Sequence, residues 1–203
     1  MTLSARRVPL RFWIYAVAVV VGLGLLWPSY AHLFESQITK NEREVCRALK
    51  LLADAQADFR GNDRDGNKIQ DFWTADVAGL FYLTDRSGAP IQLIDRKLAA
   101  ADAFPLRPVV ANPEPYHGYF IVAMTVDEEG RPYRQHTGGE GAAGAENWNH
   151  SRFAFCAYPA KYGVTGVKTF FNYEGHSIFW QRLEGASRMN WFSDEEMRKI
   201  FPD

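Results

Sequence analysis

"NEREVCRALKLLADAQADF", residues 41–59, decides how the rest of the chain is read. Val45, Leu49, Leu52, Gln56 and Phe59 recur at spacings of four and three, which places them on one face of a helix. Ala48, Ala53, Ala55 and Ala57 add helix propensity, and the charged residues between 40 and 44 are expected to face solvent. A helix with one apolar stripe needs a second layer to cover it.

Toward the N-terminus the helix pattern runs into "FWIYAVAVVVGLGLLWPSYAHLF", residues 12–34, which are 23 residues without a formal charge. As a helix such a run spans roughly 30 Å, the hydrocarbon thickness of a bilayer. Arg6, Arg7 and Arg11 precede it and no acid does, so the positive-inside rule keeps residues 1–11 cytoplasmic and exports the remainder of the chain. Trp13 and Trp27 lie near the two ends, where indole favours the interface. This predicts a transmembrane helix or signal-anchor over 12–34, kinked at Pro28, and one extracytoplasmic domain over 35–203. The alternative is a soluble exported binding module, released by signal cleavage after Ala31, because Ser29–Ala31 offers small residues behind Pro28. Either way the C-terminal domain is exported, and in the anchored reading the lipid bilayer is the first partner.

All 24 acidic residues and all but three of the 23 basic ones lie beyond residue 34, so the exported part is net acidic. A nucleic-acid-binding domain carries the opposite sign on its working face. Outside the cytosol Cys46 and Cys156 are allowed to pair as a disulfide; the alternative is two small buried apolar residues.

On the C-terminal side the layer that covers the helix is predicted to be a sheet. "GYFIVAMTVDEEGRPYRQH" reads as strand, turn at Glu129–Gly130, and strand. "RFAFCAYPA" is a further strand, and "GVKTFFNYEGHSIFWQRLEG" a hairpin turning at Glu174–Gly175. No crossover helices separate them, so antiparallel pairing is expected. "TADVAGLFYL" predicts a brief helix capped by Thr74, and "DRKLAAADAF" another from Asp95. "FPLRPVVANPEPY" is extended coil and "HTGGEGAAGAENWNH" a Gly/Ala loop. Ser193 and Glu196 form a capping box for a last short helix.

Between helix and sheet lies "FRGNDRDGNKIQDFW", residues 59–73. Asp63, Asp65, Asn67 and Asp71 place side-chain oxygens at i, i+2, i+4 and i+8, and Ile69 adds a carbonyl. That spacing suits calcium, which takes six to eight oxygens. It departs from an EF-hand, since Gly66 falls at position four and Thr74 at twelve. The competing reading is an Asx-rich turn that ends the helix at Arg60–Gly61.

No catalytic constellation is legible, and none is expected. The five histidines lack a second histidine or cysteine at metal-ligand spacing, and His117 in "PYHGY" is expected to be structural, its ring bonded to a backbone carbonyl. "TGGEGAAG" lacks the strand-to-helix context and the Lys-Ser/Thr of a phosphate loop. Cys156 sits inside an apolar strand. The aromatics of residues 153–180 are expected to be mostly core, with a docking surface as the alternative.

An apolar helix, the continuation "NEREVCRALKLLADAQADF", an Asp/Gly turn and antiparallel strands together resemble the type IV pilins and type II secretion pseudopilins. The resemblance implies an α+β fold in which a long N-terminal helix, membrane-spanning and then amphipathic, packs on an antiparallel β-meander. It implies a structural or interaction role, with other protein helices or secretion components as partners. The prepilin-peptidase signature is not present: residues 12–34 contain no acid, and Gly22 and Gly24 are followed by leucines. "EPYHGYFIVAM" and "FAFCAYPAKYGVTGVKTFFNYEGHSIFWQRL" are similar to an uncharacterised, domain-of-unknown-function family of bacterial exported proteins. That places residues 35–203 on the periplasmic side of a bacterial inner membrane and supplies no activity.

Overall fold

Helix α1, residues 37–61, turns the predicted stripe inward: Val45, Leu49, Leu52, Gln56 and Phe59 are all buried, with Ala48, Ala53 and Ala55 beside them. Each large apolar side chain so covered contributes about 1.5–3 kcal/mol. The computed structural model describes residues 37–106, 108, 110–127, 129–135 and 148–182. The chain divides into two compact units, Met1–Gln37 and Ile38–Asp203, and every described residue but Gln37 belongs to the second. The predicted membrane helix over 12–34, residues 136–147 of the Gly/Ala loop and the helix after Ser193 lie outside the described residues, while Trp148–Asn149 at the end of that loop form a short strand instead of coil. Among the described residues no helix is long and apolar enough to cross a membrane.

Opposite α1 stands an antiparallel sheet in the order β2–β4–β5–β6, formed by Tyr119–Ala123, Ala154–Pro159, Thr169–Tyr173 and Ile178–Gln181. Successive side chains of a strand point to opposite faces. Tyr119, Ile121, Phe155, Ala157 and Phe170 therefore join α1 in one apolar cluster. Val122, Met124, Ala154, Cys156 and Phe171 pack with Tyr133 on the other side. The register couples Val122 with Cys156 and Cys156 with Phe171, which fixes this division across three strands. The described part of the chain is thus α+β, a helix laid on an antiparallel meander.

Among the described residues two short helices and a second small sheet accompany them. Residues 101–103 bind the outer edge of β2 through Ala103 N–H to Ile121 O (3.0 Å) and Ile121 N–H to Ala101 O (2.9 Å). That edge is therefore covered. Helix α3, Arg96–Ala100, starts where expected, with the Asp95 carboxylate accepting from Leu98 N–H at 2.8 Å. Strands β1 (Phe72–Trp73) and β3 (Trp148–Asn149) pair with each other.

Several expectations need correction. Asn41 and Glu42 do not face solvent: Asn41 donates to Thr165 O, while Glu42 accepts from Val167 N–H and pairs with Lys168 at 2.8 Å. These contacts dock the start of α1 on the loop before β5. The return limb after Glu129–Gly130 does not join the sheet. Pro132 has no N–H to give a ladder, and only isolated bridges form, Val126 to Pro132 and Gln135 to Trp148. Thr74 does not cap α2 (Gly79–Tyr82); its hydroxyl donates to Tyr133 O, and Asp76 accepts from Gly79 N–H instead. In the β5–β6 turn His176, not Gly175, takes the left-handed backbone, with φ 57°. Gly175 is needed for space, since a Cβ there would lie 2.7 Å from the Tyr173 ring. Half of these aromatics are core, Phe153, Phe155, Phe170 and Phe171, while Tyr158, Tyr173 and Phe179 are partly buried against the second cluster and Trp180 stays 52% exposed.

Candidate functional site

Three places gather polar side chains, and the first is the acidic loop. Helix α1 ends as expected, with Asn62 N–H reaching Asp58 O and Arg64 N–H reaching Phe59 O. The chain then turns through positive φ at Asp63, Gly66 and Lys68. Asp63, Asp65, Asn67 and Asp71 are brought together. Asp63 accepts from Lys68 N–H at 3.1 Å, Asp65 from Asn67 N–H at 3.3 Å, and Asn67 from Ile69 N–H at 2.7 Å. The Asn67 amide also donates to both Asp71 oxygens at 3.4 Å. This is the geometry of an Asx-rich turn. Asp63 Oδ1 and Asp65 Oδ2 are covered yet meet no hydrogen-bond donor. Burial, and then the neighbouring Asp71 and Asp63 carboxylates, push the Asp65 carboxyl up to about 6. As the side chains stand, no three His, Cys, Asp or Glu among the described residues enclose a metal position. The residues that could hold a hard cation after a small adjustment are Asp63, Asp65, Asn67 and Asp71.

A second acidic pair lies under α2. Asp102 is fully buried and accepts from Val77 N–H (2.7 Å), Ala78 N–H (2.8 Å) and Phe104 N–H (3.0 Å). Asp76 accepts from Trp73 Nε1–H (2.9 Å), Gly79 N–H (2.7 Å) and Leu106 N–H (2.7 Å). Burial raises the Asp102 carboxyl to about 6, its backbone donors acting in the opposite direction and Asp76 adding to the rise. Closed in by backbone on all these sides, the pair fastens the loops around α2.

The third place is an open cleft of about 720 Å³ where α2, α3 and residues 110–117 meet. Arg96 and Lys97 line it from α3, Tyr82 from the end of α2, and Asn112, Tyr116 and His117 from the far wall. Among the described residues neither Arg96 nor Lys97 forms an ion pair. The far wall is held in place by Glu114 N–H to Ala100 O at 2.8 Å. His117 and Gly118 both take positive φ, 47° and 77°, between Tyr116 and Tyr119, which exchange two backbone hydrogen bonds. That is a two-residue hairpin turn of type I′. A Cβ on Gly118 would lie 2.8 Å from Thr165. Among the described residues the His117 ring bonds no backbone carbonyl, contrary to expectation. The turn points it outward, edge-on to Tyr116 with ring centroids 4.6 Å apart. Burial, and then Asp95 and Glu44, raise the Tyr116 phenol.

Residues 29–199 match the family described as Protein of unknown function (DUF2950). The chain belongs to this family. No curated protein and no solved structure matches the chain. The resemblance to an uncharacterised family is thereby confirmed, whereas nothing in the comparisons supports a pilin or pseudopilin relationship. In this DUF2950 domain Cys46 and Cys156 are not joined in a disulfide: Cys46 packs on the α1 side of the sheet and Cys156 on the opposite face. Of the cleft residues the sequence singled out only His117; Arg96, Lys97, Tyr82 and Asn112 carry no spacing signal, because separate elements, α2, α3 and residues 110–117, bring them together.

Proposed function

We propose that this DUF2950 protein is a binding module exported across a bacterial inner membrane and held at its periplasmic face by residues 12–34. The domain offers the cleft between α3 and residues 110–117 to a ligand of the cell envelope. One observation carries the binding role: Arg96 and Lys97, adjacent on one short helix, line an open cleft and form no ion pair among the described residues, with Glu114 the one carboxylate in the lining. Two adjacent cations in a concave site are suited to an anionic group brought by a ligand. The exported address is supported by Arg6, Arg7 and Arg11 ahead of 23 residues without a formal charge. A role linked to secretion components, through packing of residues 12–34 against other helices, extends this reading and shares its anchor. Mass analysis of the mature N-terminus from membrane and soluble fractions, with a reporter fused after Asp203, tests it. A full-length, membrane-bound chain with an active periplasmic reporter is the expected result. A soluble chain beginning at His32 favours the released module, since Ser29–Ala31 would then be the cleavage site. A reporter retained in the cytoplasm overturns export.

A calcium ion at the acidic loop is a second, structural element of the proposal, favoured by the donor-free Asp63 Oδ1 and Asp65 Oδ2. Its role would be to stiffen the passage from α1 to β1.

A further inference from the structure

We infer that the cleft beside the His117–Gly118 turn binds a sugar that bears a single carboxylate, with Arg96 and Lys97 on the carboxylate and the tyrosine rings against the sugar. The inference rests on the exported reading above and names the ligand class for the same site. At about 720 Å³ the cleft has room for a small ligand, within the range of roughly 300–1,000 Å³ common for such sites. Arg96 supplies a planar fork that matches a carboxylate in two hydrogen bonds, and Lys97 a compact charge beside it.

The remaining lining argues against both a bare anion and an apolar ligand. Glu114 faces the same space, so two cations meet one carboxylate and the excess suits a monoanion. Two further carboxylates act on the Tyr116 phenol from outside the lining, Glu44, which is paired with Arg47, and Asp95, which caps Leu98 N–H, and they add to the cost of a polyanion. Tyr82 and Tyr116 each present an apolar ring with a polar tip. A sugar offers the complement, a C–H face above and hydroxyl edges around it. Asn112 adds an amide that can donate and accept. The walls are fixed before any ligand arrives, by the Asp95 cap on α3, the Glu114–Ala100 hydrogen bond and the type I′ turn. Ordering on binding is then confined largely to side chains such as the exposed Arg96 and Lys97.

The test is calorimetric titration of the full chain in mild detergent with N-acetylmuramic acid, N-acetylglucosamine and sodium acetate. The first two differ by a lactyl ether that carries the carboxylate. Saturable binding of N-acetylmuramic acid is expected, with N-acetylglucosamine and acetate each weaker by about tenfold or more, the worth of one charge-assisted contact. Arg96→Ala should weaken N-acetylmuramic acid by about tenfold. Tyr116→Leu should weaken both sugars, and Lys50→Ala, on the exposed face of α1, should leave them unchanged. Equal affinity for the two sugars, acetate binding as tightly as N-acetylmuramic acid, indifference to Arg96→Ala, or no binding each overturns the inference. Absent binding by a protein shown to be exported overturns the ligand class alone. A cytoplasmic reporter result with N-acetylmuramic acid still bound overturns the address alone.

Discussion

The acidic loop at residues 63–71 and the Asp76–Asp102 pair use the same residue type in opposite ways. Under α2 six backbone and indole N–H groups point at two carboxylates and offset part of the cost of burying them. In the loop the carboxylates crowd one another, and two of their oxygens have no donor. An acidic cluster is therefore defined by its donors. A pair fed by N–H groups fastens the fold, and a cluster short of them is held under electrostatic strain.

Removing a matched acid should have the largest effect. Asp102→Ala leaves the N–H groups of Val77, Ala78 and Phe104 buried without an acceptor, and should lower stability by about 3–5 kcal/mol in denaturant unfolding. A loss below about 1 kcal/mol would erase the contrast between the two acidic sites.

The pH profile comes next. The folded Asp102 carboxyl sits at about 6, above its ordinary 3.8, so the folded state holds this proton more tightly than the unfolded chain. Its contribution is complete below pH 3.8 and is lost as pH rises toward about 6, a change of up to about 3 kcal/mol. Asp102→Asn should flatten that part of the profile.

Calcium probes the loop from the other side. At a concentration a hundredfold above its Kd it should raise Tm by about 5–10 °C, and a chelator should reverse the rise. Identical melting in calcium and in chelator would leave the loop as a turn only. The smallest effect is expected from Asp65→Asn without calcium, a gain of about 0.5 kcal/mol from relieved repulsion. The matched Asp102→Asn should lose stability where Asp65→Asn gains it.

The α1 stripe was legible because periodicity within one element is a local signal, and Val45 through Phe59 are buried as their spacing predicts. Strands β2, β4 and β5 were legible for the same reason. What the sequence hid was pairing at a distance. Trp148–Asn149 is too short a segment to announce itself as the partner of Phe72–Trp73. Nothing near Thr74 foretold that Asp102 would supply the acceptor for Val77 and Ala78. The acidic loop could be named residue by residue, since its members are neighbours in sequence. The cleft could not, because Tyr82, Arg96 and Asn112 meet only through tertiary packing.

The Gln56 side-chain amide accepts from Trp73 N–H at 3.0 Å and donates to Trp73 O, so a helix residue pairs with a strand backbone as a neighbouring strand would. Solvent deuterium can reach the Trp73 amide only when helix and strand part company. That single proton is therefore a clock for the opening of the whole unit, and its exchange should keep pace with the slowest amides at the centre of the sheet.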